Sequence, residues 1–125
     1  MAHRRGRIGE AAARRHLQRA GLRFLAANVR TPRGELDLVF RDGECLVFVE
    51  VKARSDRSWT RPSAAVNARK RRALSRAAWD YLRWAHHPRA KLRFDIVEVV
   101  LEGDRVQQVR HLPDAFALAG PSRYG

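Results

Sequence analysis

Hydrophobic and polar residues change period several times along this chain, and each change marks an element. From Gly34 to Arg54, GELDLVFRDGECLVFVEVKAR, two runs rich in Leu, Val and Phe flank Asp42-Gly43. That dipeptide predicts a β-hairpin with both residues in a type I′ turn, because both must take φ > 0. In this register Arg41 faces Glu44, Asp37 lies opposite Phe48, and Glu35 lies opposite Glu50. Paired residues share a face, and neighbours along a strand alternate. One face then reads Leu36, Leu38, Phe40, Cys45, Val47, Val49, Val51 and Ala53, which is a core face. The other carries Glu35, Asp37, Val39, Leu46, Phe48, Glu50, Lys52 and Arg54.

Upstream, Ile8 to Ala20 reads as a helix ended by Gly21, with a stripe of Ile8, Ala12, Ala13, Leu17 and Ala20. Leu22 to Val29 continues as a short extended segment, and Arg30-Thr31-Pro32-Arg33-Gly34 is a turn. A polar loop, Ser55 to Arg61, holds Trp59, which suits stacking on a base or packing on a helix. Pro62-Ser63 opens the longest helix, which runs to about Ala85. Val66, Ala73, Leu74, Ala77, Ala78, Tyr81 and Leu82 form its core face, and Arg69, Arg72, Arg76 and Arg83 form a second stripe. His86-His87-Pro88 stops it. Leu92 to Leu101 is apolar enough for a central strand, and Glu102-Gly103-Asp104 turns it into a second hairpin with Arg105 to Leu112. Pro113 to Phe116 reads as a last helical turn, and residues 1–6 and 118–125 as frayed ends. The predicted architecture is one α/β domain over residues 1–125, a mixed sheet flanked by helices in the order α-β-β-α-β-β.

Charge narrows the function. The 125 residues carry a formal net charge of +13. Such an excess implies a polyanionic partner, nucleic acid before anionic membrane. No apolar run approaches the ~20 residues of a membrane span, and no secretory signal is evident, so the expected location is the cytoplasm. Cys45 is the only cysteine, which excludes a disulfide framework or a cysteine-based zinc site.

Asp37, Glu50 and Lys52 share a face of the predicted hairpin, with Glu50 and Lys52 roughly 7 Å apart and Asp37 diagonal to Glu50 at roughly 7–8 Å. Carboxylates so close raise each other's pKa unless a cation intervenes; Lys52 supplies one charge, and a hard divalent metal would supply the rest. An acid on one strand and E-x-K on the next suits metal-dependent phosphodiester cleavage. An isolated E-x-K reads first as a solvated strand face with a cross-strand ion pair, but the shared face of Asp37, Glu50 and Lys52 in so basic a chain favours the metal site. Glu10 reads by spacing as an ion-pair partner of Arg14, or as a third carboxylate at the rim. Asp95 either pairs with an arginine or stands behind the site, the former being favoured. Arg54, Arg61, Arg69, Lys70, Arg72 and Arg76 are the candidates for phosphate contact.

Gly6-x-x-Gly9-Glu10, Asn28-x-Arg30, Gly34-Glu35-Leu36-Asp37-Leu38 and Val47-Phe48-Val49-Glu50-Val51-Lys52-x-Arg54 resemble the bacterial YraN-type family. Ala65-Val66 with Lys70, Arg93-Phe94-Asp95-Ile96-Val97, and His111-Leu112-x-x-Ala115-Phe116 extend the likeness over nearly the whole chain. That family is similar to the restriction-endonuclease-like fold and to archaeal Holliday-junction resolvases. The resemblance implies catalytic roles for Glu10, Asp37, Glu50 and Lys52. It also implies Mg²⁺ or Mn²⁺ on Asp37, Glu50 and the Val51 carbonyl. The expected activity is hydrolysis of DNA, branched or structured, by a monomer or homodimer, with DNA favoured over RNA. One departure is Thr60, where relatives usually carry glycine. The alternatives are a non-catalytic nucleic-acid-binding module and an assembly factor contacting structured RNA.

Overall fold

The computed structural model describes residues 4–55, 67–86 and 91–118. Its elements are α1 (Arg4–Arg19), β1 (Arg23–Thr31), β2 (Gly34–Asp42), β3 (Cys45–Arg54), α2 (Ala68–Ala85), β4 (Lys91–Glu102) and β5 (Arg105–Phe116). The strands form one five-stranded sheet in the order β1-β2-β3-β4-β5. All neighbours are antiparallel except β3 and β4. A parallel pair cannot be joined by a tight turn, and the connection carrying α2 supplies the crossover.

Each face of the sheet has its own core. Ala12, Ala13 and Leu17 of α1 pack on Leu38, Phe40, Val47, Val49, Val97, Val99 and Leu101. Leu74, Ala77, Ala78, Tyr81 and Leu82 of α2 pack on Val39, Leu46, Phe48, Phe94 and Ile96. The alternation expected for the hairpin therefore holds for these residues, but its second face is not a surface. Val39 and Phe48 are wholly buried on it. On α2 the stripe of Arg69, Arg72 and Arg76 faces solvent, opposite the buried stripe. Asn67 caps the helix by accepting from the Lys70 N–H, and His86 ends it in the left-handed conformation. Val66, Pro62 and Ser63, expected within this helix, lie outside the described residues.

Three expectations are corrected. Leu22 to Val29 is not a short extended segment but contributes to a full strand, so the order is α-β-β-β-α-β-β. Helix α1 begins at Arg4, inside the stretch expected to fray. Pro113 to Phe116 continues β5 and is not helical. There Asp114 takes φ 52°, which an aspartate tolerates better than most side chains, and pairing resumes at Phe116 opposite Phe94. The stacked Phe94 and Phe116 rings, 4.6 Å apart, favour that continuation over a helical turn. No helix among the described residues is long and apolar enough to cross a membrane.

Two acids act as fasteners. Asp95, wholly buried, accepts from Arg93 at 2.8 and 3.0 Å and from the Asp114 N–H at 3.0 Å, and meets the His111 ring at 2.7 Å. Arg93 also reaches Asp42 at 3.0 Å, which ties the ends of β2, β4 and β5 together. This is the arginine pairing expected for Asp95. Asp80 on α2 accepts from Arg33 Nε at 3.0 Å, the Arg33 N–H at 3.1 Å and Arg83 at 2.6 Å, and so clamps the β1–β2 turn. Burial works against its charge, but the hydrogen bonds from Arg33, Arg83 and Thr31 prevail and lower its pKa to about 2.

A depressed carboxyl pKa adds stability above the unfolded value, and that stability is lost as pH falls through the folded one. Asp80→Asn should therefore destabilise the protein at pH 7, with the difference from wild type shrinking from the ordinary aspartate range down to pH 2. Denaturant unfolding of both proteins across that interval is the check, and a pH-independent difference would refute the clamp.

Candidate active site

The β2–β3 turn is Gly43-Glu44, not Asp42-Gly43, since Asp42 pairs with Cys45. Gly43 alone of the two takes positive φ, at 60°, and Arg41 Nε donates to its carbonyl at 2.8 Å. The register slips by two residues against expectation, which preserves the faces but changes the neighbours. The recorded pairing ends at Leu38 with Val49, and just beyond it Asp37 is close enough for its charge to act on Glu50. Glu35, expected opposite Glu50, pairs with Arg30 on β1 and forms an exposed ion pair with it at 3.0 Å.

At Asp37 the two ladders of β2 open. The β1–β2 pairing omits Asn28 and Asp37, and Asn28 takes φ 52°. Leu36 enters the α2 core while Leu38 and Phe40 stay with the α1 core, so the alternation slips here and Leu36 leaves its expected face. The freed Asp37 Oδ2 accepts from the Val51 N–H at 2.9 Å. A side chain thus takes over the donor that a continuing ladder would have engaged.

Glu50, buried on β3, has Lys70 Nζ at 3.5 Å and Lys52 Nζ at 3.8 Å from Oε1. Its pKa is raised, by burial first and by the Asp37 charge second, against the pull of both lysines. Asp37 is raised as well; burial outweighs the Val51 N–H, Lys70 and Lys52. Burial therefore holds both carboxylates above their ordinary range even with two ammonium groups beside them.

Glu10 reaches this region because Gly9 lets α1 lie close on β3. A Cβ at Gly9 would sit 3.0 Å from the Ala53 Cβ. Burial raises the Glu10 pKa, a hydrogen bond with the Asn28 side chain lowers it, and the Asp37 charge raises it again. Arg14, its expected i,i+4 partner, lies instead over the Phe24 ring at 3.5 Å. Among the described residues no three His, Cys, Asp or Glu side chains gather closely enough to hold an ion in common. The hard-oxygen pair Asp37 and Glu50, raised in pKa and accessible to Lys52 and Lys70, fits a divalent cation. Val51, expected to lend its carbonyl, is engaged through its N–H.

Of the expected phosphate contacts, Arg69, Arg72 and Arg76 are exposed on α2, whereas Lys70 turns its ammonium to Glu50. Arg54 ends β3 with Nε 3.6 Å from Glu98. Arg61, like Trp59 and Thr60, lies outside the described residues. Sequence reasoning missed two residues. Asn28 stood only inside a motif, although asparagine is among the few residues favoured at positive φ. Glu98 is wholly buried on β4, in register with Lys52 on one side and Arg110 on the other. Among the described residues neither of its carboxylate oxygens has a hydrogen-bond partner, a costly and uncommon state for a buried acid. A second lone acid in the apolar run LRFDIVEVVL was the available signal.

Because a raised folded pKa opposes folding of the charged form, Glu50→Gln should raise the melting temperature at pH 7 in chelator. Added Mg²⁺ or Mn²⁺ should raise it for wild type and not for the variant, since a ligand of the folded state stabilises that state. Differential scanning calorimetry of the two proteins with and without metal decides, and equal metal shifts would reject the pair as the binding site.

Comparison with known proteins places the chain. The model of the uncharacterised protein family UPF0102 matches residues 9–99. A UPF0102 protein of Ectopseudomonas mendocina is 46% identical over 115 residues, covering 88% of this chain and 94% of the relative. One of Syntrophotalea carbinolica is 44% identical, covering 92% and 93%. One of Xanthomonas campestris pv. campestris is 48% identical over 116 residues, covering 91% and 92%. The chain belongs to the UPF0102 family, the YraN-type family that its motifs resemble.

Proposed function

We propose that this protein is a metal-dependent nuclease that hydrolyses phosphodiester bonds in branched or structured DNA, on a restriction-endonuclease-like version of its α/β fold. The observation that carries the reading is the neighbouring pair Asp37 and Glu50, buried, both raised in pKa, with Lys52 beside them. Glu50 and Lys52 lie in the C-terminal half of β3, inside its parallel pairing with β4, which runs on to Arg54, and Asp37 joins them from β2. Asp37, Glu50 and the Val51 carbonyl would hold Mg²⁺ or Mn²⁺, which when bound offsets their charge and lowers the pKa of coordinated water.

The chain's own groups complete the chemistry. Lys52, about a third exposed, offsets the charge that develops on the phosphate. Lys70, at the first turn of α2, keeps Glu50 ionised until substrate arrives. Glu10, oriented by Asn28, accepts a hydrogen bond from the attacking water. Arg69, Arg72 and Arg76 grip backbone phosphates from α2, with Arg54 at the end of β3 extending the contact. A non-catalytic nucleic-acid-binding role, or contact with structured RNA, is the competing reading. Its support is that two lysines already sit on Glu50, as a resting, neutralised site would have them.

Incubation with linear and branched DNA in Mg²⁺ or Mn²⁺ should give cleavage, and Lys52→Met should lower the rate by roughly 10²–10³ while gel-shift affinity holds. Binding by both proteins with no cleavage of any substrate would leave the module reading standing. Separately, replacing Arg72 and Arg76 together by Ala should flatten the salt dependence of duplex binding, which runs at roughly −0.9 per phosphate contacted. An unchanged slope would mean that the stripe is only solvated.

A further inference from the structure

Trp84 is 76% exposed, the most exposed large hydrophobic residue among those described. It ends α2 beside a cavity of about 220 Å³ whose wall includes Tyr81, Pro32 and Thr31. Pockets enclosing drug-sized ligands run to roughly 300–1,000 Å³, so this one suits a single ring system. Two of its polar side chains are engaged. Thr31 Oγ1 donates to the Gly34 carbonyl and accepts from the Arg33 N–H, and the Asp80 carboxylate is held by Arg33 and Arg83. The cavity can therefore stack a ring, with the Tyr81 hydroxyl and Arg30 on its wall to meet the ring's edge. Charge identifies the ligand further. Arg30 and Asp80 are on the wall, and with their ion-pair partners Glu35, Arg33 and Arg83 they leave this corner one net positive charge, three less two. A second copy of a +13 chain would be repelled here, whereas a polyanion bearing flat rings would not.

We propose that Trp84 is a stacking platform for an unpaired nucleobase, an inference that rests on the nucleic-acid reading above and adds a substrate preference to it. Lys70, at the acidic pair, and Trp84 are fourteen residues apart on α2. A helix places them about 21 Å apart along its axis. The helix face between them is covered, since Ala77 is wholly buried and Gly34 of the β1–β2 turn lies against Ala73 and Ala77. A strand held at Glu50 therefore reaches Trp84 over that turn, past Arg33, and at the ~3.4 Å rise of a duplex strand the span is at least about six nucleotides. The substrate so defined has a phosphodiester at the carboxylates and an unpaired base farther along the strand.

The test uses single-stranded oligothymidine in chelator, with tryptophan emission as readout. Binding should quench emission in wild type, and Trp84→Phe should bind with that quenching lost. Trp84→Ala should weaken single-strand binding roughly five- to a hundred-fold, as expected for one base–aromatic stack, and leave duplex binding unchanged. Since the side chain is exposed, thermal unfolding of both variants should match wild type. Quenching undiminished in Trp84→Phe, equal quenching by inorganic polyphosphate, or unaltered affinity of Trp84→Ala would each overturn the proposal. So would emission that varies with protein concentration alone. Cleavage of branched DNA by wild type and Trp84→Ala, assayed separately in Mg²⁺, separates the two readings. Quenching without cleavage by wild type keeps the platform and removes the nuclease, whereas cleavage without quenching does the reverse.

Discussion

The bond from the Val51 N–H to Asp37 stands at the point where β2 parts from its neighbours, and the geometry of the acidic pair depends on it. A backbone donor at this depth must be engaged, and the carboxylate engages it where a carbonyl would otherwise serve. Asp37 thereby becomes half of a sheet contact and half of a site. Its charge acts on Glu50, and the strand it belongs to turns Leu36 into the other core. The same opening leaves Asn28 in the left-handed conformation with its side chain on Glu10, so one local irregularity draws α1, β1, β2 and β3 together.

Electrostatics sorts the acids of this basic chain into two groups. Asp80 and Asp95 are lowered in pKa because arginines and other donors outweigh burial, and they serve as fasteners. Asp37, Glu50 and Glu10 are raised because burial outweighs the donors they have. A protein with 26 lysines and arginines is not short of cations that could have been placed there. That these acids stay raised in pKa beside such a surplus is a reason to read the site as functional. Glu98, wholly buried without a hydrogen bond among the described residues, adds one more acid beside Arg54 on the same side of the sheet.

Much of the architecture was legible in periodicity. The hairpin's alternation, the small-residue stripe of α1, the buried and basic stripes of α2 and the apolar run of β4 all arise from side chains facing one environment at a fixed repeat. The nearness of Asp37, Glu50 and Lys52 was legible too, because it depends on parity and the two-residue slip preserved parity. Composition alone set the net charge of +13, since formal charge needs no coordinates.

Tertiary structure decided what depends on contacts distant in sequence. The turn moved to Gly43-Glu44, as the pairing of Asp42 with Cys45 and the Arg93 bridge to Asp42 require. Residues 113–116 became strand because Phe116 stacks on Phe94 and the Asp114 N–H serves Asp95, neither of which local propensity contains. Both hairpin faces were buried because α1 and α2 arrive from opposite sides, so Val39 and Phe48 are core although they share a face with the acids. The link between Glu10 and Asp37 required Gly9 against Ala53 and the positive φ of Asn28. A sequence pattern reports the period of a single element, whereas these outcomes depend on which elements meet and how closely.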